Sequence, residues 1–167
     1  MHHAFARAVD GRVLFVDDED FERYIRLLGF VAEQYEWRCL GFCLMPNHVH
    51  LLVETPQANL GAGMQWLHSR YALLFNEAHG RQGRGHVFQG PYGSKVVRDD
   101  LYLLRVAAYV LMNAVAAGLC RKPGEWPWCS HGLVERGIAP SWMRHDLLWE
   151  RLVGITGRSD PLSTVVL

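Results

Sequence analysis

Apolar positions recur along the chain with two periods, and these periods predict strands and helices. Period-two alternation predicts four extended segments, at residues 2–8, 37–45, 48–54 and 86–96. Spacings of three and four predict three long helices, at residues 18–36, 62–79 and 99–117. The first six elements follow a β-α-β-β-α-β order. This order predicts a ferredoxin-like α+β fold, an antiparallel sheet with helices on one face, followed by a further helix and a short helical tail.

The strand at residues 48–54 presents two histidines side by side. Side chains alternate along a strand, so His48 and His50 share one face. Val49, Leu51 and Val53 occupy the opposite face and point into a core. Neutral imidazole is a common metal ligand, and a strand fixes the spacing of two such rings in advance. The pattern favours part of a divalent-metal site, with a pair of structural histidines as the alternative.

The helix at residues 99–117 carries a second group of polar side chains. Its buried face is predicted from the apolar spacing of Leu101, Leu104, Ala108, Leu111 and Val115. Arg105, Tyr109 and Asn113 follow one another at intervals of four and therefore share an adjoining face. A tyrosine can supply a phenolic nucleophile, and an amide oxygen suits Mg²⁺ or Mn²⁺. Taken alone, each could equally be an ordinary surface or boundary residue.

Five other tyrosines compete with Tyr109 for the role of nucleophile. Tyr24, Tyr35 and Tyr71 lie in the apolar stripes of the first two helices, which predicts core positions. Tyr92 and Tyr102 could line a groove, but neither has an asparagine four residues later. Tyr109 differs from all five because an asparagine follows it by four residues.

Composition limits the remaining possibilities. The chain has 167 residues, half of them hydrophobic, which suits one core and one domain with a C-terminal extension. It has no apolar run of membrane-spanning length and no signal-peptide pattern at its N-terminus, so a soluble cytoplasmic location is expected, with no membrane partner. The four cysteines form no Cys-x-x-Cys pair, which favours reduced thiols. Cys39 and Cys43 are expected on one strand face, about 13 Å apart.

The distribution of charge is more informative than its sum. Seventeen basic and seventeen acidic residues give a net charge of zero, whereas nucleic-acid binders are usually basic. Residues 79–98, however, contain no acidic residue. This stretch and its neighbours supply the candidate DNA-binding residues Arg70, Arg81, Arg84, Tyr92, Lys95, Arg98 and Arg105. A solvated, glycine-rich connection is the alternative.

Acidic residues cluster at Asp17–Asp20 and at Glu22, where the first helix is predicted to begin. Helix capping and the helix dipole favour carboxylates at this position. The cluster therefore requires no second metal site.

Several spaced motifs resemble the single-tyrosine HUH transposases, particularly the bacterial REP-associated tyrosine transposases, which carry an insertion-sequence-200-like transposase domain. Residues 45–53, Met-Pro-Asn-His-Val-His-Leu-Leu-Val, are similar to the histidine motif of this family. Residues 109–119 resemble its tyrosine helix, in which an asparagine follows the tyrosine by four residues. Further similar segments, in the expected order, are residues 85–90, 97–100 and 125–130.

The resemblance implies a DNA transposase with a transposase domain over residues 1–133 and an extension over residues 134–167 that docks on the body. His48, His50 and Asn113 would bind Mg²⁺ or Mn²⁺. Tyr109 would cleave single-stranded or hairpin DNA and retain it as a 5′-phosphotyrosine. A monomer or homodimer without an obligatory protein partner is expected.

The chain departs from the family pattern at two kinds of position. Ala114 replaces the proline that usually follows the helix asparagine, so the helix is expected to run on. Basic residues common in the segments corresponding to residues 89–93 and 115–118 are missing, which predicts weaker DNA binding. Two alternatives remain open. The first is a non-catalytic binder of single-stranded or hairpin DNA. The second is a small metal-dependent hydrolase that uses water on another phosphodiester, or a purely structural metal domain.

Overall fold

The computed structural model describes residues 1–83 and 85–164. Four strands form one antiparallel sheet: β1 (His2–Arg7), β2 (Arg38–Met45), β3 (His48–Glu54) and β4 (Gly93–Val96), in the order β2-β3-β1-β4. The helices are α1 (Asp18–Gln34), α2 (Leu60–Ala78), α3 (Asp100–Leu111), α4 (Asn113–Ala116), α5 (Ser130–Glu135) and α6 (His145–Thr156). Short 3₁₀ turns occur at Val9–Gly11, Pro123–Glu125 and Pro161–Thr164. The predicted α+β fold with a ferredoxin-like strand order is confirmed.

β3 is a central strand and pairs with both β1 and β2. Its bounds coincide with the predicted strand at residues 48–54. In the β1 pairing, His48 lies opposite Arg7, and His50 lies opposite Phe5. The register therefore places side chains from the beginning of the chain beside the two histidines.

The two faces of the sheet are covered by different helices. On the first face, α1 and α2 enclose a core that includes Val49, Leu51 and Val53, as the alternation along β3 predicts. On the second face, α3 and α6 pack on a core that includes Leu52 and Leu148. The β-α-β-β-α-β unit thus has its helices on one face, and the later helices cover the other.

Aspartates begin two of the long helices. Asp17 accepts a hydrogen bond from the backbone N–H of Asp20 at the start of α1, at 3.1 Å. Asp99 accepts one from the N–H of Tyr102 at the start of α3, at 2.8 Å. Each carboxylate satisfies an N–H that has no partner within the helix and lies at the positive end of the helix dipole.

The region after α2 departs most from the predicted elements. The expected extended segment at residues 86–96 shortens to β4, with one isolated bridge between Phe88 and Ala8. The helix expected at residues 99–117 is interrupted at Met112, although no proline follows Asn113. Its buried face was predicted only in part, because Ala108 and Leu111 are fully buried but Leu101 is 67% exposed. The helix has apolar side chains on most of its sides, so their spacing does not identify the buried face. The side that packs into the core carries Leu103, Ala107 and Leu111.

The prediction that Cys39 and Cys43 share a strand face was wrong. A register shift between Cys39 and Gly41 interrupts the pairing of β2 with β3. Such a bulge inserts one residue and reverses the alternation beyond it. Cys39 consequently lies in the core under α1 and α2, and Cys43 lies in the core under α3 and α6, beside Cys129. All four cysteines are free thiols, as expected.

The segment after residue 133 packs on the second face through α6, where Leu148 and Leu152 are fully buried. The domain boundary at residue 133 stays a prediction. Within residues 1–83 and 85–164, no helix combines the length and the apolar content that crossing a bilayer requires.

Candidate functional site

A cavity of about 420 Å³ opens between the second face of the sheet and α3. We call it the histidine pocket. β1 contributes His3, Phe5, Ala6 and Arg7, β3 contributes His48 and His50, β4 contributes Lys95, and α3 contributes Tyr102, Arg105, Val106 and Tyr109. Rigid strands therefore supply the floor of the pocket, and a helix supplies one wall.

His48, which lines this pocket, contacts Asn113 although 65 residues separate them. His48 Nε2 lies 3.0 Å from Asn113 Oδ1. The other ring nitrogen, Nδ1, lies 2.7 Å from Asn47 Oδ1, to which it can donate a proton. Burial lowers the pKa of His48, which favours the neutral ring. A neutral His48 ring can donate Nε2–H to Asn113 Oδ1 or Nδ1–H to Asn47 Oδ1. In the second tautomer, Nε2 and the Asn113 amide oxygen are both free to bind a shared cation.

His50 is almost completely buried and has one unused nitrogen. Its Nδ1 lies 3.0 Å from His3 Nε2. Its Nε2 is buried and has no hydrogen-bond partner in the described part of the chain. Burial, followed by the positive charge of nearby His3, His48 and Arg7, lowers the pKa of His50 from 6.5 to about 3. A neutral ring with an unpartnered nitrogen is a ligand that fits a metal ion.

Tyr109 stands at the mouth of the pocket. Its side chain is 45% exposed, so an incoming substrate can reach it. Its ring centroid lies 5.1 Å from that of His50 and 5.9 Å from that of His3, both in edge-to-face arrangements. The four side chains proposed to act together, Tyr109, His48, His50 and Asn113, are therefore neighbours in the fold.

The other tyrosines divide as expected, except that Tyr35 is less buried than predicted and Tyr92 packs against the core. Tyr24 and Tyr71 are fully buried in the core, and burial raises the pKa of both phenols. Tyr35 is only partly buried. Tyr102 lines the histidine pocket, whereas Tyr92 packs against the core on the opposite face of the sheet.

The candidate DNA-binding residues separate into two groups. Lys95 and Arg105 line the histidine pocket, and a neighbouring groove of about 750 Å³ adds Arg98. We call these three residues the basic rim. Arg70 lies on α2 and Arg81 lies just after it, over the ring of Phe75 at 5.6 Å, so neither lines the histidine pocket. Arg84 lies outside the described residues.

Three pocket residues that the sequence did not single out lie on one face of β1. His3, Phe5 and Arg7 alternate along β1 and share the face that carries His48 and His50. Their alternation is readable in the sequence. Their proximity to the histidine motif depends on the pairing of β1 with β3, which the sequence does not specify locally.

A second group of potential ligands lies at the start of α1. Asp17, Asp20 and His79 place ligand atoms within 4.8 Å of one another. Asp20 is fully buried and already accepts bonds from the Val16 N–H, Arg23 and His79, at 2.9, 2.6 and 2.8 Å. These contacts account for its carboxylate oxygens, so the group forms a hydrogen-bonded structural cluster rather than an open metal site.

Comparisons with known proteins agree with one another. The family model described as "Transposase IS200 like" matches residues 2–113, more than half of the chain. A Haemophilus influenzae protein named as a REP-associated tyrosine transposase is 25% identical over an alignment 119 residues long, which covers 65% of this chain and 68% of that protein.

Solved structures give two further similarities. A REP-associated tyrosine transposase bound to a REP hairpin has a TM-score of 0.66 and 14% identity, with 83% of this chain and 81% of that chain covered. This similarity shows a shared fold. A Deinococcus radiodurans protein named as a transposase has a TM-score of 0.48 and 22% identity, with 65% of this chain and 87% of that chain covered.

Proposed function

Because the chain belongs to the family of IS200-like transposases, we propose that it is a metal-dependent transesterase that cleaves and transfers single-stranded DNA through Tyr109. The observation that carries this proposal is the proximity of four side chains: His48, His50 and Tyr109 line one pocket, and Asn113 contacts His48. His48 and Asn113 are 3.0 Å apart, and the His50 and Tyr109 ring centroids are 5.1 Å apart. Strands and a helix far apart in the sequence converge there.

His48, His50 and Asn113 would hold a divalent ion, Mg²⁺ or Mn²⁺. The fit rests on the unpartnered Nε2 of His50 and on the 3.0 Å approach of His48 Nε2 to the Asn113 amide oxygen. When bound, such an ion neutralises the charge that develops on the scissile phosphate. The amide oxygen of Asn113 favours a hard cation, and imidazole also suits Mn²⁺.

Tyr109 would supply the nucleophile. Its phenolic oxygen attacks phosphorus, the bond from phosphorus to the 3′ oxygen breaks, and the phenolic proton passes to solvent. The products are a free 3′-hydroxyl, protonated by water, and a 5′-phosphotyrosine. Attack by a second 3′-hydroxyl then breaks the phosphotyrosine bond and rejoins DNA without external energy, so a difficult exchange proceeds in two easier steps.

Lys95, Arg98 and Arg105 would hold the DNA backbone on either side of the reacting phosphate. These cations line the histidine pocket and the groove beside it. Phosphate contacts position a strand without reading its sequence. Because the similarly folded transposase was solved with a REP hairpin, a hairpin or repeat with a single-stranded flank is the substrate that we propose.

The test is an assay for a covalent protein–DNA adduct on a denaturing gel. Labelled single-stranded hairpins from the flanks of the gene are incubated with Mg²⁺ or Mn²⁺ and with the wild type, Tyr109→Phe, His48→Ala or Tyr102→Phe. We expect a metal-dependent adduct for the wild type and Tyr102→Phe, and none for the other two. Cleavage that survives Tyr109→Phe would indicate a hydrolase that uses water. Binding without cleavage would indicate the non-catalytic binder.

A further inference from the structure

His3 is the buried partner of the histidine that lies deepest in the pocket. His3 and His50 are diagonal neighbours on the same sheet face, because His3 pairs with Leu52 and Phe5 pairs with His50. His3 Nε2 lies 3.0 Å from His50 Nδ1. The two residues are 6% and 4% exposed, so water has little access to this contact.

Two proton arrangements are possible across this contact between neutral rings. In the first, His50 Nδ1–H donates to His3 Nε2, and His50 Nε2 keeps its lone pair. In the second, His3 Nε2–H donates to His50 Nδ1, and His50 carries its own proton on Nε2. That proton would then be buried without an acceptor, since Nε2 has no hydrogen-bond partner in the residues that the structure describes.

We propose that His3 is a positioning residue that accepts the Nδ1 proton of His50 and so keeps Nε2 of His50 available as a metal ligand. The inference rests on the proposed function, because it assigns a use to that nitrogen. The hydrogen bond to His3 fixes both the tautomer and the rotation of the His50 ring, as partners of metal-bound histidines commonly do.

The chemical nature of His3 suits a site that must also receive a phosphate. Carboxylates often fill this supporting role, but a carboxylate here would add a negative charge close to the incoming DNA. A neutral imidazole accepts the same proton without that repulsion. The edge of the His3 ring also contacts Tyr109, with ring centroids 5.9 Å apart, so the same side chain touches the proposed nucleophile.

The experiment compares three full-length variants with the wild type. His3→Leu removes the acceptor, and His3→Gln places an amide oxygen where His3 Nε2 was. His2→Leu is the matched control, because His2 is the neighbouring histidine on β1 and alternation directs it to the opposite sheet face. The tautomer of His50 is measured in the metal-free chain from imidazole ¹⁵N chemical shifts. Mn²⁺ affinity is measured by calorimetry without DNA, and thermal unfolding checks that each variant is folded.

We expect the wild type, His3→Gln and His2→Leu to carry the His50 proton on Nδ1, and His3→Leu to shift it towards Nε2. Mn²⁺ affinity should fall about 10- to 100-fold in His3→Leu and recover to within about 3-fold of wild type in His3→Gln. A His50 proton on Nε2 in the wild type, or an unchanged tautomer in His3→Leu, would overturn the role of His3. If the wild type bound no Mn²⁺, the metal site of the proposed function would fail, and the ¹⁵N shifts would still decide the role of His3.

Discussion

The two faces of the sheet both bury polar side chains, but only the second face places an unpartnered histidine nitrogen beside other candidate ligands in the described part of the chain. Under α1 and α2, Asp20 is buried with partners for its oxygens, and His68 contacts the Tyr24 hydroxyl at 3.2 Å. Under α3, His50 is buried just as deeply and keeps Nε2 without a partner. Proximity of ligand-type residues therefore does not by itself identify a metal site in this fold. An unsatisfied buried nitrogen does not identify one either, because His2 Nδ1 on the first face also has no partner among the described residues. The candidate site combines such a nitrogen, on His50, with the neighbouring ligand atoms of His48 and Asn113.

Tyrosine-to-phenylalanine changes on the two faces should give the largest contrast. Tyr109→Phe should reduce adduct formation at least about 10³-fold, because it removes the proposed nucleophile, and leave thermal stability unchanged. Tyr71→Phe removes a buried hydroxyl that donates to the Leu14 carbonyl, so it should cost about 1 kcal/mol of stability and leave adduct formation intact. Adduct formation and denaturant unfolding measure the two effects, and equal losses of stability in both variants would break the contrast.

The buried Asp20 cluster should behave as structure and not as a metal site. Asp20→Asn replaces the buried carboxylate with a neutral amide. Arg23 contacts this carboxylate at 2.6 Å, and His79 contacts it at 2.8 Å. Loss of one partner from such a buried group should lower the free energy of unfolding by about 3 kcal/mol. Mn²⁺ affinity, measured by calorimetry, should stay at the wild-type value. A large loss of affinity in Asp20→Asn, with none in His50→Ala, would reverse the assignment of the two clusters.

The pH dependence of stability should show that both faces bury neutral histidines. Burial lowers the pKa of His68 to about 4 from 6.5, so between these values the unfolded chain binds a proton that the folded chain excludes. Stability is therefore complete above pH 6.5 and falls as the pH decreases towards 4.

A His68→Gln variant tests this interpretation on the first face. Between pH 6.5 and 4.5, the free energy of unfolding should fall by about 2 kcal/mol less in the variant than in the wild type, since one pKa unit corresponds to about 1.4 kcal/mol. Urea unfolding of the metal-free chain at several pH values measures the slope. An identical slope in the wild type and the variant would contradict a neutral, buried His68.

Single changes at basic residues should have the smallest effects. Lys95→Gln should weaken single-strand binding about 3- to 5-fold, because it removes one phosphate contact beside the histidine pocket. The slope of log affinity against log salt concentration should become shallower by about one. Arg70→Gln, on the α2 side, should change affinity less than about 2-fold. Fluorescence anisotropy at several salt concentrations measures both. A larger effect for Arg70→Gln would place the DNA on the first face.

Local patterns in the sequence predicted the elements that build the site. Strict alternation over residues 48–54 defined β3 and the face of its histidines, because this strand has neither bulge nor proline. The interval of four between Tyr109 and Asn113 predicted that both lie on one side of a helix. In the structure this helix breaks at Met112, and Asn113 lies beside His48. These features depend on residues close together in the chain.

Features that depend on long-range pairing could not be predicted. His3 and Arg7 join the pocket only through the register of β1 against β3. Cys43 lies on the face opposite Cys39 because of a bulge at Gly41, and a glycine within a strand is only a weak local sign of a bulge. Residues 79–98 are uniformly free of acidic side chains, yet Arg81 and Lys95 lie apart, because the chain crosses from the end of α2 to the edge strand β4 between them. A run of residues without acidic side chains therefore does not define one surface, because the topology of the chain decides which residues are neighbours.

The most direct test of the account is to identify the residue that carries DNA after the reaction. The adduct formed with a hairpin substrate and Mn²⁺ is digested with protease and nuclease, and mass spectrometry locates the attached nucleotide. We predict a 5′-phosphate linked to the Tyr109 oxygen, with a free 3′-hydroxyl on the released strand. A nucleotide on Tyr102 or another side chain, or cleaved DNA with no attached peptide, would contradict the role of Tyr109.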